Sequence, residues 1–199
     1  MPQPALFLDR DGVINTEVEY LRHPSQLQLL PGAAQAIARV NAWHLPVIVV
    51  SNQAGIARGY FDEAQLAEIH RALDQLLWAQ QHAHIDAYYF CPHHPTAGYG
   101  PYKVDCACRK PKPGLLLAAA AHHNLDLVKS YLVGDKASDI QAGQTAGCHT
   151  ILVKTGYGAV EVAHARPDFV CETLAEAVHA LGFLPHLHKA SLRQAQSLP

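Results

Sequence analysis

The sequence predicts an α/β protein built on a doubly wound, mainly parallel sheet. Three observations carry that expectation. Short apolar runs at 5–8, 46–50, 87–91, 131–134 and 150–153 alternate with stretches of helical periodicity. Most of the runs are apolar at every position, not at every second one, as strands buried on both faces require. Several end on Asp, Ser-Asn or Gly-Asp, at the strand edge where open α/β sheets bind ligands.

The first run, Ala5-Leu6-Phe7-Leu8, stops at Asp9, and a second carboxylate follows at Asp11 before Gly12. Residues 13–30 lack steady periodicity and are expected to form a loop or short hairpin beside that strand end. Pro31-Gly32 opens a helix, proline being preset for a first turn, with Ala33, Ala36, Ile37 and Val40 at helical spacing. A second strand, 46–50, runs into Ser51-Asn52-Gln53-Ala54-Gly55. Asp62 can cap a long helix whose apolar stripe is Leu66, Ile69, Leu73, Leu76 and Leu77.

The third strand, 87–91, leads into a loop at 92–112 rich in Pro, Gly, His and Cys. Pro113-Gly114 opens a largely buried helix through 115–121. Tyr131–Gly134 is a fourth strand ending at Asp135. A helix carrying Ile140, Ala142 and Ala146 follows, stopped by Gly147. Residues 150–153 and 168–170 read as a fifth and a short sixth strand, and 173–181 as a last helix stopped by Gly182. The whole is one domain over 1–184, with a loosely held tail at 185–199.

Composition excludes several classes. A chain of 199 residues, 49% hydrophobic with net charge −2, suits one well-cored domain and shows no nucleic-acid surface. Its longest wholly apolar runs, 45–50 and 115–121, fall far short of a membrane span. Residues of catalytic type begin at Asp9, leaving no room for a signal peptide. Five cysteines are an odd number, and Cys91, Cys106 and Cys108 crowd one region, which suggests metal, not disulfides. A cytoplasmic monomer without nucleic-acid or membrane partners is expected.

In a parallel sheet Asp9/Asp11, Ser51/Asn52, Arg109/Lys110 and Asp135/Asp139 meet at one edge, and each has a use in phosphoryl transfer. Asp9 can attack phosphorus and ligate metal. Asp135 offers a second carboxylate to a hard cation, which fits Mg²⁺. Ser51 can hold phosphate oxygens, and Lys110 brings charge to the transferring group. Lys136 and Asp139 are expected to support the metal shell, Asp139 from the same helix face as Asp135. Cys91, Cys106 and Cys108 with His93 or His94 make a closed tetrahedral set for structural Zn²⁺. That zinc loop, 91–108, would pin Arg109 and Lys110 over the phosphate. The spacing between the four stretches leaves no room for a cap domain. His82/His84, His122/His123 and His186/His188 read as solvated, and Cys148 and Cys171 as buried small residues.

Asp9-Arg10-Asp11-Gly12-Val13, Ser51-Asn52, Lys110-Pro111 and Gly134-Asp135-Lys136-Ala137-Ser138-Asp139 resemble, in order, the four motifs of the haloacid dehalogenase superfamily. Val13 stands where Thr is more frequent. The resemblance implies an aspartyl-phosphate on Asp9, with Asp11 protonating the leaving group and then activating water. It implies Mg²⁺ held by Asp9, the backbone carbonyl of Asp11, and Asp135. It also favours His93 over His94 as the zinc ligand.

A cap-free, zinc-bearing pattern is shared by two families within the superfamily, heptose bisphosphate phosphatases and histidinol-phosphate phosphatases. Residues 51–61, with Ala54 and the Arg58-Gly59 pair, resemble the former. That resemblance implies substrate contacts from Glu17, Val18, Glu19 and Tyr20, from Ser51, Asn52, Gln53 and Ala54, and from Arg109 and Lys110. The implied substrate is a small phosphorylated sugar, a heptose with phosphates at both ends that loses the one at C7 on the way to surface glycans. Arg109 and Arg58 are then candidates for the phosphate that stays. A zinc-loop interaction module on an inactive fold would need a broken motif, and none is broken.

Overall fold

The structure, a computed structural model, describes residues 1–184. The tail expected at 185–199, with His186 and His188, lies outside the described residues. In chain order the elements are β1 (Leu6–Leu8), α1 (Ala33–Ala42), β2 (Val47–Asn52), α2 (Glu63–Gln81), β3 (Ala87–Cys91), α3 (Gly114–His123), β4 (Tyr131–Gly134), α4 (Ala137–Ala146), β5 (His149–Val153), α5 (Gly158–Glu161), β6 (Phe169–Cys171) and α6 (Leu174–Leu181).

All six strands are parallel in the order β3-β2-β1-β4-β5-β6. The chain winds outward from β1 to β3, then returns to the other side of β1 for β4, so the switch point lies between β1 and β4. Alternation along β1 sorts its side chains. Leu6 and Leu8 pack with α1, α2 and α6, whereas Ala5 and Phe7 pack with α3 and α4. Both faces are covered, which is why the strands read as unbroken apolar runs.

The helix signals are local. Asp62 caps α2 by accepting from Gln65 N at 2.8 Å while the Gln65 side chain returns to Asp62 N. Thr173 caps α6, and Gly147 ends α4 at φ +86°. Residues 13–30 form a loop, one of the two expected alternatives, with isolated bridges and a 3₁₀ turn at Pro24–Gln26. Two differences from expectation have simple causes. β2 runs on through Ser51 and Asn52 because β3 is long enough to pair with them. The single-turn α5 is too short to leave a periodicity. No extra folded unit separates β1 from α1 or β3 from α3 among the described residues, so the sheet edge carries no cap.

Candidate active site

Asp9 sits where β1 ends, its N–H donating to Val133 O at 2.9 Å as the last rung between β1 and β4. The chain then turns sharply, Gly12 N reaching Asn15 O at 2.7 Å. Gly12 has φ +83°, and a Cβ there would overlap Asp135 Oδ2; the same oxygen excludes a side chain at Gly156. Two glycines therefore allow Asp135 to approach the turn. Asp135 Oδ2 accepts from Tyr157 N at 2.9 Å, while its buried Oδ1 has no partner among the described residues. Asp9, Asp135 and Asp139 each place a carboxylate oxygen within 4.8 Å of the others. Hard oxygen donors, one of them orphaned, fit Mg²⁺.

Lys110 is tied to three acceptors: Asp9 Oδ1 at 2.9 Å, Asp139 Oδ1 at 2.6 Å and Val50 O at 2.7 Å. All three ammonium protons are thereby used. Asp139 lies close to Asp135 but does not share a helix face with it: Asp135 precedes α4, and Asp139 lies within its first turn, accepting from Lys136 N at 3.0 Å. Its other oxygen serves Lys110, so its support reaches the nucleophile through the lysine. Asn52 lines the cleft but commits its amide to the Lys110 backbone, donating to Lys110 O and accepting from Lys110 N, both at 3.0 Å. Gln53 Nε2 bridges Asp11 Oδ2 at 3.0 Å and Ser51 Oγ at 2.7 Å.

Asp11 is surrounded by donors: Arg10 Nε and Nη2, Asn15 Nδ2 and Gln53 Nε2. Burial pushes its carboxyl up, but the Arg10 charge and these hydrogen bonds outweigh it and hold it below the ordinary carboxylate value. Asp9 and Asp135 go the other way. Burial is the main cause in both, raising Asp9 to about 6 and Asp135 to about 8; at Asp9 the Lys110 charge offsets it while Asp139 and Asp11 add, and at Asp135 the Asp9 charge adds. Burial lowers the Lys110 value, yet Asp139 and Asp9 more than restore it. Positive charge between Asp9 and Asp135 would relieve that repulsion.

A cleft of about 420 Å³ opens over these groups, lined among others by Glu17, Glu19, Tyr20, Ser51, Asn52, Gln53, Ala54, Arg109, Lys110 and Lys136. Val18 is 41% exposed and is not among the residues lining the cleft; it stands between Glu17 and Glu19, which are joined by Glu19 N to Glu17 Oε1 at 2.7 Å. Lys136 Nζ joins Glu17 Oε2 at 3.1 Å and lies 4.3 Å over the Tyr157 ring, its charge still felt by Asp135. Arg58 lies elsewhere, in a neighbouring groove with Tyr60, Tyr99 and Lys103. The cleft also takes Leu21, Gly55, Pro111 and Ser138, which carry no charge to mark them in the sequence.

The loop after β3 brings Cys91, His93, Cys106 and Cys108 together. Sulfurs of Cys106 lie 3.4 Å from Cys91 and 3.1 Å from Cys108, and His93 Nδ1 lies 3.7 Å from Cys91 Sγ and 3.4 Å from Cys108 Sγ. These separations far exceed a disulfide bond of about 2.05 Å. They approach the edge of about 3.8 Å expected for a tetrahedron with Zn–S near 2.3 Å, and a sulfur-rich set fits zinc. His94 is engaged otherwise, its Nδ1 accepting from Ala97 N at 2.9 Å. Arg109 Nη1 donates to His93 O at 3.2 Å, joining the cluster to the cleft. His82, His84, His122 and His123 are exposed, and Cys148 and Cys171 are buried, as expected.

Comparison with known proteins agrees with this geometry. The HAD-hydrolase-like family model matches residues 107–177. D-glycero-D-manno-heptose-1,7-bisphosphate 7-phosphatase of Thermosynechococcus vestitus is 45% identical, over 89% of this chain and 95% of its own. D-glycero-beta-D-manno-heptose-1,7-bisphosphate 7-phosphatase of Vibrio cholerae is 40% identical, over 91% and 97%. A crystal structure of D,D-heptose 1,7-bisphosphate phosphatase from B. bronchiseptica, complexed with magnesium and phosphate, superposes with a TM-score of 0.81 at 39% identity, covering 90% of this chain and 98% of that one. Identity at this level over nearly whole chains, on the same parallel sheet, settles the lineage: the chain belongs to the heptose bisphosphate phosphatase family of HAD-like hydrolases.

Proposed function

We propose that the protein removes the C7 phosphate of D-glycero-D-manno-heptose 1,7-bisphosphate, with Asp9 as nucleophile, in the synthesis of nucleotide-activated heptose for surface glycans. The observation that carries the reading is the Asp9 carboxylate at the floor of an uncapped polar cleft, gripped by Lys110 and next to the separately buttressed Asp11. The relatives' names supply the sugar. The cleft contributes Arg109, a cation outside any ion pair with the protein's own carboxylates among the described residues, at the mouth where a second phosphate would lie.

Mg²⁺ held by Asp9, the Asp11 carbonyl and Asp135 would supply positive charge to the transferring phosphoryl group. An Asp9 carboxylate oxygen attacks phosphorus and forms an acyl phosphate, and the bond from phosphorus to the C7 oxygen breaks. Asp11 gives its proton to that oxygen. Three donor side chains favour ionised Asp11 at rest, so the proton is gained when the negative phosphate enters and offsets Arg10. In the second half Asp11, again ionised, takes a proton from water as the water cleaves the acyl phosphate at phosphorus. Ser51 and the Lys110 charge hold the phosphoryl oxygens meanwhile.

Structural Zn²⁺ on Cys91, His93, Cys106 and Cys108 belongs to the same proposal, as does a cytoplasmic location, supported by five cysteines free of disulfides. The test compares kcat/KM on the heptose bisphosphate with histidinol phosphate, fructose 1,6-bisphosphate and a sugar monophosphate, with ³¹P NMR identifying the phosphate released. The heptose bisphosphate should win and lose its primary phosphate. A preference for histidinol phosphate, or release of the anomeric phosphate, overturns the reading.

A further inference from the structure

Arg10 is the largest side chain fully removed from solvent, at 0% exposure, an unusual place for a permanent charge. It follows Leu6 and Leu8 at strand parity and so turns toward the α1 and α2 side of the sheet. Its guanidinium spends Nε and Nη2 on Asp11 in a forked contact of 3.1, 3.0 and 2.7 Å. Nη1, on the far edge, is buried without a hydrogen-bond partner among the described residues. A charge this deeply placed costs several kcal/mol unless its donors are met.

On α2, His70 replaces an apolar residue in the stripe Leu66, Leu73, Leu77 and is 8% exposed. Its Nε2 is likewise buried and without a partner. The ring stacks on Tyr88 with centroids 4.2 Å apart and planes 13° apart, and meets the edge of Phe90. Tyr88 is held in turn, its hydroxyl donating to Asp74 Oδ1 at 2.6 Å. Burial, then the Arg10 charge, depresses His70 to about 3, so the imidazole is neutral and can accept a hydrogen bond. An orphan donor on a buried cation and an orphan acceptor on a neutral ring lie on the same side of the sheet.

We propose that His70 accepts from Arg10 Nη1 through one buried water, and that the Asp74–Tyr88–His70–Arg10 series fixes the orientation of the Asp11 carboxylate for proton transfer. Arg10 and His70 are positioning residues, acting on the leaving oxygen only through Asp11. The inference rests on the role given to Asp11 above.

The experiment uses His70→Phe, which keeps ring and stack but lacks the acceptor, His70→Gln, which offers an amide oxygen, and Asp11→Asn as reference. Each is assayed on the heptose bisphosphate, whose alkoxide must be protonated to leave, and on p-nitrophenyl phosphate, whose phenolate leaves unaided. Since Asp11 also serves the second half-reaction, the aryl substrate is read by the rapid burst of p-nitrophenolate. His70→Phe should lower kcat on the sugar substrate roughly tenfold, leave KM and the burst rate within about twofold, and His70→Gln should recover most of the loss. Equal losses on both substrates, a lowered melting temperature with unchanged kcat, or no recovery by Gln would overturn the positioning role while Asp11→Asn still shows the leaving-group-selective defect. Asp11→Asn that keeps full turnover on the sugar would instead overturn the general-acid reading, and this inference with it.

Discussion

The molecule gathers two sets of candidate metal ligands, and they are built on opposite plans. Asp9 and Asp135 leave the ends of neighbouring strands β1 and β4, and Asp139 starts α4, so six parallel strands hold three carboxylates together before any ion is considered. Cys91 alone among the sulfur set stands on a strand; His93, Cys106 and Cys108 hang on a loop whose one ordered piece is a turn at Gly100–Tyr102. In the first region the scaffold makes the site. In the second, a zinc bound by the four ligands would order the loop. The energy scale supports the contrast, because structural zinc contributes apparent binding energies of about 10–16 kcal/mol, whereas a loop bond at the surface contributes about 1.

The comparison breaks most sharply at Asp9. Asp9→Asn should reduce turnover by more than about 10⁴-fold, because the covalent step is lost and uncatalysed monoester hydrolysis is among the slowest reactions known. The fold should survive: Lys110 keeps Asp139 and Val50 O, and the strands do not depend on the carboxylate. Steady-state kinetics beside a thermal melt decides it, and substantial turnover by a folded variant sinks the mechanism.

The sulfur cluster tests the other half of the contrast. Metal analysis should find one zinc per chain that survives brief chelation sufficient to strip exchangeable magnesium. Replacing Cys106 and Cys108 with Ser should remove it, raise hydrogen exchange across 92–112, and raise KM on the bisphosphate on the order of tenfold through Arg109. Exchange in β1 and β4 should not change. Retained zinc, or loosening that spreads into the central strands, would contradict the division of labour.

That division also governs what the sequence could disclose. Strand ends were readable because burial on both faces leaves runs such as Leu6-Phe7-Leu8 with the acid placed directly after them, and the sulfur set was readable because thiols cluster for few other reasons. Pairings between loops left no such mark. Nothing in the chain says that Lys110 would spend its protons on Asp9 and Asp139, or that Asn52 would clamp the Lys110 backbone, since these contacts join segments 29 to 101 residues apart. The exposure of the Val18 side chain left no mark either: resemblance carries positions, not the positive φ at Glu19 beside it. Arg10 and His70 had a weak signal, a polar residue at an inward parity and another on an apolar stripe.

Arg109 sharpens the link between the two regions, being anchored on His93 O yet facing the cleft. Arg109→Ala should lower kcat/KM on the heptose bisphosphate by about 10–100-fold and on a sugar monophosphate by much less. Arg109→Lys should restore little, since a point charge cannot fork onto a phosphate. Equal losses on both substrates would place Arg109 on the reacting phosphate and remove the argument for a second one.

The smallest effect is expected from Tyr102→Phe, and its smallness is informative. Tyr102 lies in the turn at Gly100–Tyr102, and its hydroxyl donates to Glu63 Oε1 at 3.0 Å, a side-chain tie from the sulfur loop to α2. The bond is exposed, so water replaces it at little cost, and its loss should leave the melting temperature almost unchanged. The phenyl ring keeps the tilted packing against His93, with centroids 6.1 Å apart. If the four-ligand cluster orders the loop, Tyr102→Phe in the zinc-loaded protein should leave KM and exchange across 92–112 unchanged. If the loop is instead held by contacts such as this one, the substitution should loosen it as the cysteine variants do. A rise in exchange comparable with Cys106→Ser would therefore assign the ordering to the side-chain ties and not to the sulfur cluster.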